Sequence, residues 1–375
     1  MRRERVTPRP DWPARCEEVG FAYHSMDGTY WVDDACYAFT ADEVDALEAA
    51  TEALHDLCLQ ACAHVVEKRR FDLLAIPPAF HDFVAESWRS AEPTLYGRFA
   101  LAWNGEGEPK LLEYNADTPT ALLEASVVQW HWLQDVRADA DQFNSLHEKL
   151  IDRWRIMRDA LPPAPVAFAC VKDNPEDFGN VEYLRDTAVQ AGLATSTVFV
   201  EDLGWDSAER CFVDLGSMPL PAVFKLYPWE WMMREAFAAN LLEGACRWIE
   251  PPWKAMLSNK AMLAVLWELF PNHPNLLPAF LDPGRVEGDY VRKPILSREG
   301  ANVSLRRAAA AMNSAGGYGA EGWVYQALAG IPAFDGRYAV IGSWIVGDAA
   351  AGIGMREDDT PITRNTSRFV PHYFC

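Results

Sequence analysis

The sequence predicts a mixed α and β protein built from several lobes. The chain has 375 residues, which is more than one compact core usually holds. Segments with the alternating pattern of strands are interspersed with segments that have the three- to four-residue period of helices. Half of the residues are hydrophobic and 15 are tryptophan, a composition typical of a large packed core. We therefore expect an α+β or mixed α/β class.

The first third of the chain contains helix and hairpin patterns. The run Thr40-Ala41-Asp42-Glu43 has the form of a capping box, and the apolar residues after it recur at helical spacing, which predicts a helix that ends near Lys68. A second helical region is expected over about 121–157. Between these helices, 97–103 and 110–115 have strand patterns, and the turn residues Asn104-Gly105-Glu106-Gly107 predict that they form a hairpin.

The rest of the chain continues the mixed pattern. Short buried strands are expected at 166–171, 196–200 and 222–227, with helical patterns between them, which indicates an α/β layer. A short helix is expected at 259–270 and a strand at 289–296, followed by a loop of small residues at 297–302. The segments predicted to be strands of an antiparallel sheet are 322–328, 337–346 and 349–355.

Charge and cysteine usage limit the partners and the compartment. Lys and Arg total 34 against 54 Asp and Glu, for a formal net charge of −20. A field of this sign repels nucleic acid and anionic lipid, so we expect neither as a partner, although many cytoplasmic proteins are simply acidic. No stretch approaches the roughly 20 apolar residues that span a bilayer, and no apolar region follows the basic start at 1–5 as in a signal peptide. The eight cysteines are scattered without metal-ligand spacing, which favours free thiols in the cytoplasm.

The predicted hairpin offers hard oxygen donors. Residues two apart in a strand share a face, so Glu113 and Asn115 are expected to point the same way. A carboxylate and a carboxamide oxygen together suit Mg²⁺. On the partner strand Arg98 and Ala100 share a face, and Arg98 could clamp a carboxylate or a phosphate. From spacing alone, a solvated hairpin face with a turn after Asn115 is the alternative.

Two lysines and a loop suggest phosphate binding. Lys293 lies in an apolar strand ahead of Ser297-Arg298-Glu299-Gly300-Ala301-Asn302, a loop whose backbone N–H groups could surround phosphates. Lys260, at the start of a helix, is a second candidate cation. The loop is not a Walker A motif, because no Gly-Lys-Ser/Thr ends it, and an ordinary turn is the alternative.

A late arginine could also carry chemistry. Arg356 follows Gly352-Ile353-Gly354-Met355 at a strand end, where a guanidinium could hold transferring phosphate charge. A surface ion pair with Glu357 or Asp358 is the alternative. The histidines show no ligand spacing, and the Gly-x-Ser-x-Gly pattern of hydrolases is absent, so we assign no covalent nucleophile.

Several runs, taken in order, resemble glutathionylspermidine synthase and its shorter bacterial homologues. The resemblance spans about residues 15–375. The runs that carry it are YGRF at 96–99, LLEYNADTPT at 111–120, EPPWK at 250–254, SNKA at 258–261, VRKP at 291–294, VYQ at 324–326 and NTSRF at 365–369. The EYNAD run, the later NK and KP pairs and the terminal NTSRFVP form a specific combination.

The resemblance implies an ATP-grasp fold, with ATP held between two α+β lobes. We expect an N-terminal lobe over 1–160 whose hairpin belongs to the ATP-grasp core, an α/β substrate-binding lobe of the preATP-grasp type over 161–250 and a nucleotide-binding lobe over 251–375. The implied activity joins a carboxylate to an amine with ATP and Mg²⁺. Transfer of the γ-phosphoryl group to the carboxylate gives an acyl phosphate, which the amine then attacks.

The resemblance also implies roles for individual residues. Arg98 and Arg356 match arginines that steady the reacting carboxylate or acyl phosphate, and Glu113 and Asn115 match magnesium ligands. The residues expected around ATP are Lys260, Lys293, Glu299, Gly300, Asn302, Gln326, Val340 and Ile362. The residues expected near the substrates are Thr118, where a glutathione contact lies in the family, and the acidic pair Glu176 and Asp177 near the second substrate.

Two features depart from the family pattern. The amidase domain of bifunctional members is missing, so we expect no amide hydrolysis, and short members need not use glutathione or spermidine. The family's Arg-x-Asp reads Arg98-Phe99-Ala100 here, so an alanine stands where an aspartate would complete the metal site. The resulting hypotheses are an active ligase, a nucleotide-binding protein of the same fold without catalysis, and a plain phosphotransferase.

Overall fold

The computed structural model describes residues 1–26, 28–307 and 310–375. The helices are α1 (Trp12–Glu18), α2 (Ala41–Glu67), α3 (His81–Arg89), α4 (Gln129–Val136), α5 (Leu146–Met157), α6 (Pro175–Gln190), α7 (Trp229–Met232), α8 (Ala238–Leu241) and α9 (Met262–Leu269), and a π-helical turn (Glu124–Val128) precedes α4. Short 3₁₀ turns lie at Phe71–Leu74, Pro78–Phe80, Arg158–Ala160, Val200–Asp202, Pro252–Met256 and Pro283–Arg285.

The strands fall into several sheets. They are β1 (Arg2–Arg5), β2 (Ala35–Phe39), β3 (Tyr96–Ala102), β4 (Lys110–Asn115), β5 (Val166–Cys170), β6 (Thr195–Phe199), β7 (Gly204–Asp206), β8 (Cys211–Val213), β9 (Ala222–Lys225), β10 (Arg247–Ile249), β11 (Ala279–Phe280), β12 (Tyr290–Pro294), β13 (Ser304–Arg307), β14 (Ala310–Asn313), β15 (Trp323–Ala327), β16 (Ala333–Phe334), β17 (Arg337–Val346), β18 (Ala349–Asp358), β19 (Arg368–Val370) and β20 (His372–Phe374). The mixed fold class is confirmed.

One antiparallel sheet joins the predicted hairpin to the C-terminal strands. Its order is β19-β18-β17-β3-β4, with β16 on β17. In β3 and β4, Arg98 lies opposite Asn115 and Ala100 lies opposite Glu113, and a bulge follows Ala100. This sheet therefore combines segments from the expected lobes 1–160 and 251–375. The division of the chain into three lobes stays a prediction.

A second antiparallel sheet has the order β11-β15-β12-β13-β14. The sequence correctly predicts β12 and β15 as strands, but the expectation that β15 shares a sheet with β17 and β18 is wrong. Lys293 of β12 instead lies opposite Val324 of β15. Strand patterns specify which residues face a core, whereas the choice of sheet depends on which edge the folded chain reaches. The loop 297–302 connects β12 to β13 of this sheet.

A parallel sheet with the order β10-β9-β5-β6 forms the predicted α/β layer. β5 and β9 are buried as predicted, but β6 lies at the edge and exposes Ser196 and Thr197, so that expectation is wrong for β6. From β5 the chain proceeds outward in one direction to β6 and in the other to β9. Ligands of such sheets bind beyond the carboxyl ends of the two strands at this reversal, here β5 and β9.

The sequence predicts the start of α2 correctly, but it misses an interruption in the second helical region. The capping box before α2 is confirmed, because the Thr40 amide donates to the Glu43 carboxylate at 2.9 Å and the Glu43 amide donates to the Thr40 hydroxyl at 3.2 Å. The helical region expected over 121–157 is interrupted at 137–145. There the Ser145 amide donates to the carbonyl of Ala351, and the Asp141 amide donates to that of Phe374. Pairing with distant strands thus replaces helical hydrogen bonds.

In the described part of the chain, no helix is both long and apolar enough to cross a bilayer.

Candidate functional site

An apolar cavity of about 150 Å³ lies between the two antiparallel sheets. Val291, Val303 and Leu305 line it on the side of β12 and β13. Val340 of β17 and Ile362 line it from the other side. A cavity with these walls suits a flat, largely apolar ring system, with polar groups only at one end.

A larger polar cavity of about 520 Å³ adjoins the first. It lies beyond the carboxyl ends of β5 and β9, at the reversal in the parallel sheet, and is lined there by Glu176, Asp177 and Tyr227. Asn115 and Thr118, in the turn that follows β4, line it from the hairpin side. The predicted substrate residues thus share one cavity.

The two cavities meet at a charged junction. The residues that line both cavities are Arg98, Glu113, Lys260, Gly300, Arg356 and Thr363. Both arginines predicted to be catalytic, one predicted metal ligand and one predicted phosphate lysine therefore lie where an apolar pocket opens into a polar one. These residues come from β3, β4, β18 and the loops near Lys260 and Gly300, which are far apart in the chain.

Glu113 and two lysines form a charge network at this junction. The Lys260 Nζ lies 3.1 Å from a Glu113 carboxylate oxygen and donates to the Ser297 carbonyl at 2.7 Å. The Lys293 Nζ donates to the Leu112 carbonyl at 2.7 Å and to the Gln326 side-chain oxygen at 2.8 Å. Gln326 lines neither cavity, and its side-chain oxygen instead accepts a hydrogen bond that holds Lys293 in place.

The network shifts the pKa values of its members. Burial, offset in part by the charge of Glu113, lowers the pKa of Lys293 to about 8. Burial alone would raise the pKa of Glu113, but Lys260 and then Lys293 outweigh it and lower that pKa to about 2. Near neutral pH, Glu113 is an anion between two cations, and the lysines are placed to meet an anionic ligand.

The two predicted catalytic arginines are held differently. The Arg98 Nη1 donates to the Thr120 carbonyl at 2.5 Å, and its guanidinium lies 5.6 Å from the ring centre of Trp344. Burial, and then the charge of Arg356, lowers the pKa of Arg98. The Arg356 guanidinium lies 5.4 Å from the Tyr30 ring centre.

Arg356 is tied to the loop that follows β18. Its Nε donates to the Ser367 carbonyl at 3.0 Å, and its Nη2 donates to the Asn365 carbonyl at 2.9 Å. The alternative of an ion pair with an adjacent acid is not what the described residues show. Glu357 pairs with Arg3 at 2.8 Å, and Asp358 pairs with Arg364 at 2.8 Å.

The loop 297–302 closes over the junction in a conformation that favours glycine and asparagine. Glu299, Gly300 and Asn302 have φ values of 53°, 66° and 55°. A Cβ on Gly300 would collide with the Thr363 carbonyl oxygen, so only glycine fits there. The Asn302 side chain donates to the Tyr318 carbonyl at 2.5 Å and lines neither cavity, whereas Glu299 lines the polar one.

The predicted metal ligands are only partly free. The Asn115 Oδ1 accepts bonds from the Thr118 amide at 3.1 Å and from the Ser258 hydroxyl at 3.2 Å, so this carboxamide also shapes the turn. Ala100, opposite Glu113, lines the apolar cavity and adds no oxygen. Among the residues that the structure describes, no group of three or more His, Cys, Asp or Glu is placed to hold a metal. Because Mg²⁺ commonly binds through one or two carboxylates plus substrate phosphates, Glu113 and Asn115 fit a nucleotide-bound ion better than a free one.

Three of the carboxylates that line the polar cavity, Glu176, Asp177 and Glu299, influence one another. Burial, then Glu176 and Glu299, raises the pKa of Asp177 to about 7. Burial and then Glu176 also raise the pKa of Glu299. Such crowded carboxylates would be relieved by a cationic ligand.

Sequence reasoning missed Arg298 as a member of this site. Its Nη1 donates to the Thr118 hydroxyl at 2.6 Å and its Nη2 to a Glu230 carboxylate oxygen at 2.8 Å. Its guanidinium also lies 5.7 Å from the ring centre of Trp231. Thr118 and Glu230 are 180 and 68 positions away in the chain, so no local pattern points to these contacts.

A buried carboxyl behind Arg356 was also missed. Glu124, in the π-helical turn, accepts the Tyr30 hydroxyl at 2.6 Å, and the same tyrosine ring faces Arg356. Burial and then Glu176 raise the pKa of Glu124 to about 7. A π-helical turn is a common sign of a functional region, but it is visible only in the folded backbone.

Residues 3–375 match the family described as glutathionylspermidine synthase preATP-grasp. The chain belongs to this family. A relative in Haemophilus influenzae, whose provisional name is acid–amine ligase, is 43% identical over 98% of this chain and 97% of its own length.

Longer members of the family match as well. Trypanothione synthetase of Crithidia fasciculata is 29% identical over 95% of this chain, and the bifunctional glutathionylspermidine synthetase/amidase of Escherichia coli K12 is 26% identical over 89% of it. The matches cover only 57% and 58% of those two proteins. Family membership places the chain among ATP-dependent acid–amine ligases of the glutathionylspermidine synthase type.

A solved structure supports the fold. A glutathione synthetase-like effector of Globodera pallida superposes with a TM-score of 0.59, over 97% of this chain and 96% of that one. The two sequences are only 7% identical, so the likeness concerns the fold alone. The ATP-grasp type of architecture expected from the sequence is confirmed.

Proposed function

We propose that the chain forms an amide between a small carboxylate and an amine, with Mg²⁺, through an acyl phosphate. One observation carries this proposal. Arg98, Arg356 and Lys260 lie where an apolar cavity meets a polar cavity, so a phosphate chain that leaves the first would meet a carboxylate held in the second. ATP is consumed in this reaction and is therefore a substrate.

The nucleotide would occupy the apolar cavity with its phosphates toward the junction. Val340 and Ile362 offer apolar contacts to the base, and Lys260 and Lys293 offer their charges to the phosphates. The Gln326 side chain keeps Lys293 in place, and the backbone N–H groups of Glu299 and Gly300 lie near the junction. The amides of Ala301 and Asn302 donate to backbone carbonyls within the protein. Glu113 and Asn115 would hold Mg²⁺, which when bound would neutralise charge on the transferring phosphoryl group.

The chemistry then follows from charge placement. An oxygen of the substrate carboxylate attacks the γ-phosphorus, the bond from that phosphorus to the bridging oxygen breaks, and ADP leaves. Arg98 and Arg356 would hold the carboxylate in line and balance the charge on the acyl phosphate. The amine nitrogen attacks the acyl carbon, the carbon–oxygen bond to phosphate breaks, and the nitrogen gives up a proton to complete the amide. These steps need no covalent protein nucleophile.

The polar cavity would separate the two organic substrates. Thr118 and Arg298 lie where a peptide-like acid could be held, since the names of the longer relatives point to glutathione conjugates. Glu176 and Asp177 would attract the amine as an ammonium ion, because their carboxylates crowd one another in a half-buried site.

A second candidate function has one observation in its favour. Ala100 faces the site opposite Glu113 and supplies no third oxygen for a metal. A chain with this substitution could bind nucleotide without catalysing ligation.

ADP release distinguishes these functions. The whole chain is mixed with Mg²⁺ and ATP and with a matrix of small carboxylates and amines, glutathione and spermidine included. The ligase predicts ADP release only where an acid is present, and hydroxylamine in place of the amine should yield a hydroxamate from the acyl phosphate. Thermal stabilisation by Mg²⁺ and ATP without ADP release in any mixture would favour the binding protein, and nucleotide turnover without an amine would favour a phosphotransferase. At a hundredfold excess over Kd a ligand stabilises the folded state by about 2.7 kcal/mol, which a thermal shift detects.

A further inference from the structure

A third cavity, of about 250 Å³, lies beside the polar cavity and has no part in the reaction described above. It lies between the segment that carries α7 and α8 and the face of the parallel sheet formed by β9 and β10. Its apolar lining comes from Leu203, Phe212, Met232, Leu241 and Trp248. Phe237 at its edge is 52% exposed, an unusual position for a phenylalanine without a partner.

The polar groups in this lining already have partners. The Lys225 Nζ donates to an Asp117 carboxylate oxygen at 2.5 Å. Tyr227 donates its hydroxyl to the Glu235 carboxylate. Glu201 accepts from the Lys172 amide at 3.2 Å. A ligand in this cavity would therefore meet mainly apolar surface and carbon atoms.

Tyr227 lies between this cavity and the polar cavity. It lines both cavities, and its ring packs edge-on against Trp231, with ring centres 5.3 Å apart. Tyr227 follows β9, and the acidic pair Glu176 and Asp177 follows β5, the neighbouring strand. A ligand that extends from the acidic pair along this edge of the parallel sheet would reach Tyr227.

We propose that this cavity, which we call the side pocket, binds an aliphatic or aromatic group carried by the amine substrate. The proposal rests on the proposed ligase function and narrows its amine to one with an apolar substituent. Because Tyr227 lines both cavities, the amine substrate is favoured over a protein partner as the occupant.

The test uses straight-chain alkylamines from ethylamine to octylamine as probes, with binding to the whole chain measured by calorimetry. Affinity should rise by about fourfold for each methylene until the pocket is full, because each buried methylene adds a constant increment. An affinity that does not depend on chain length would overturn the proposal.

A pair of variants places the effect in the side pocket. Val200 lines the side pocket, so the larger side chain of Val200→Phe should fill part of it. The increase in affinity from ethylamine to octylamine should become at least tenfold smaller, and the affinity for ethylamine should stay unchanged. Val189→Phe makes the same change on the exposed surface of α6, where the valine is 47% exposed, and should behave as the unmodified chain. Equal behaviour of the two variants would contradict the proposal, and if Val200→Phe does not fold, the alkylamine series decides alone.

Nucleotide binding is measured in parallel. A chain-length effect without nucleotide binding would keep the side pocket and reject the ligase, whereas nucleotide binding without a chain-length effect would do the reverse.

Discussion

The Lys260 Nζ lies 3.1 Å from a Glu113 carboxylate oxygen, at the place where the two cavities of the site meet. Lys293 is close enough to help lower the pKa of the same carboxyl group. The carboxylate therefore pairs directly with Lys260 and attracts Lys293, which the Leu112 carbonyl and Gln326 hold in place. A bound phosphate chain would compete with Glu113 for both lysines, and Mg²⁺ would take over as the partner of the carboxylate.

The two lysines should contribute to nucleotide affinity without supporting the fold. We expect Lys293→Ala and Lys260→Ala each to weaken ATP binding by about tenfold or more, since a charge-assisted hydrogen bond contributes about 1.5–3 kcal/mol. Isothermal titration with Mg²⁺ and ATP measures this. Lys68→Ala, an exposed lysine at the end of α2, is the matched control and should bind ATP normally. If both site variants keep the original affinity, the assignment of these lysines to phosphate is wrong.

ATP affinity should fall as the pH rises above about 8. Burial lowers the pKa of Lys293 to about 8, so its charge is lost above that value in the free protein. Calorimetry in buffers with different ionisation enthalpies should therefore detect proton uptake on ATP binding near pH 8–9. The same shift affects stability, because between pH 8 and the usual lysine value the unfolded chain binds more protons than the folded one. The contribution of Lys293 to stability thus rises with pH in this window and is lowest below it. A Lys293→Met chain that shows the same proton uptake would rule out this lysine as the source.

The substitution Ala100→Asp should strengthen magnesium binding. Position 100 lies opposite Glu113 and lines the apolar cavity near the junction, so an aspartate would add a third hard oxygen. We expect a lower magnesium requirement for ATP turnover, and tighter Mn²⁺ binding by electron paramagnetic resonance in the presence of ATP. Ala49→Asp, on the exposed side of α2 and outside both cavities, serves as the control. An equal or higher magnesium requirement in Ala100→Asp means that position 100 does not contact the metal.

The substitution Asp177→Asn should weaken amine binding and raise the free energy of unfolding at pH 8. The pKa of Asp177 is raised to about 7, so the folded chain holds the proton more tightly than the unfolded chain. Its contribution to stability is therefore present at acid pH and is lost as the pH rises to about 7. Removal of the charge should stabilise the fold by about 1–2 kcal/mol at pH 8 and leave it unchanged at pH 4. Amine affinity should fall at pH 8. Denaturant unfolding at both pH values tests the stability effect, and a variant that is less stable at pH 8 would contradict it.

Lys225 and Asp117 form a buried ion pair that connects the parallel sheet to the turn after β4. The Lys225 Nζ lies 2.5 Å from an Asp117 oxygen, and Asp117 also accepts the Trp229 amide at 2.9 Å. Lys225→Met leaves a buried carboxylate without its cation, so we expect a loss of about 3–5 kcal/mol. Adding Asp117→Asn removes the uncompensated charge but keeps an acceptor for Trp229, and should restore most of the stability. Urea unfolding of the single and double variants measures the coupling, and additive losses would show that the pair is not coupled.

Much of the local structure followed from the sequence because its causes are local. The capping box of Thr40 and Glu43 starts α2, and the Asn-Gly turn joins β3 to β4. The spacing of Arg98 and Ala100 on one face, opposite Glu113, also follows from the two-residue period of a strand. Strand and loop patterns named Lys260, Lys293 and the loop 297–302 as candidates, and the family resemblance assigned them to ATP. Both lysines and Gly300 line the cavities, whereas Asn302 lines neither.

Tertiary structure decided the remaining features. Local patterns could not show that β15 joins β12 rather than β17, that β6 is an edge strand, or that 137–145 interrupts the helices. They also could not show that Arg298 donates to the Thr118 hydroxyl, or that Tyr227 lines both the polar cavity and the side pocket. The sequence alone determined the elements, their faces and the chemical types available to the site. The folded chain decided which of those types meet, because contacts across a hundred or more residues depend on the packing of whole sheets and not on the period of any one segment.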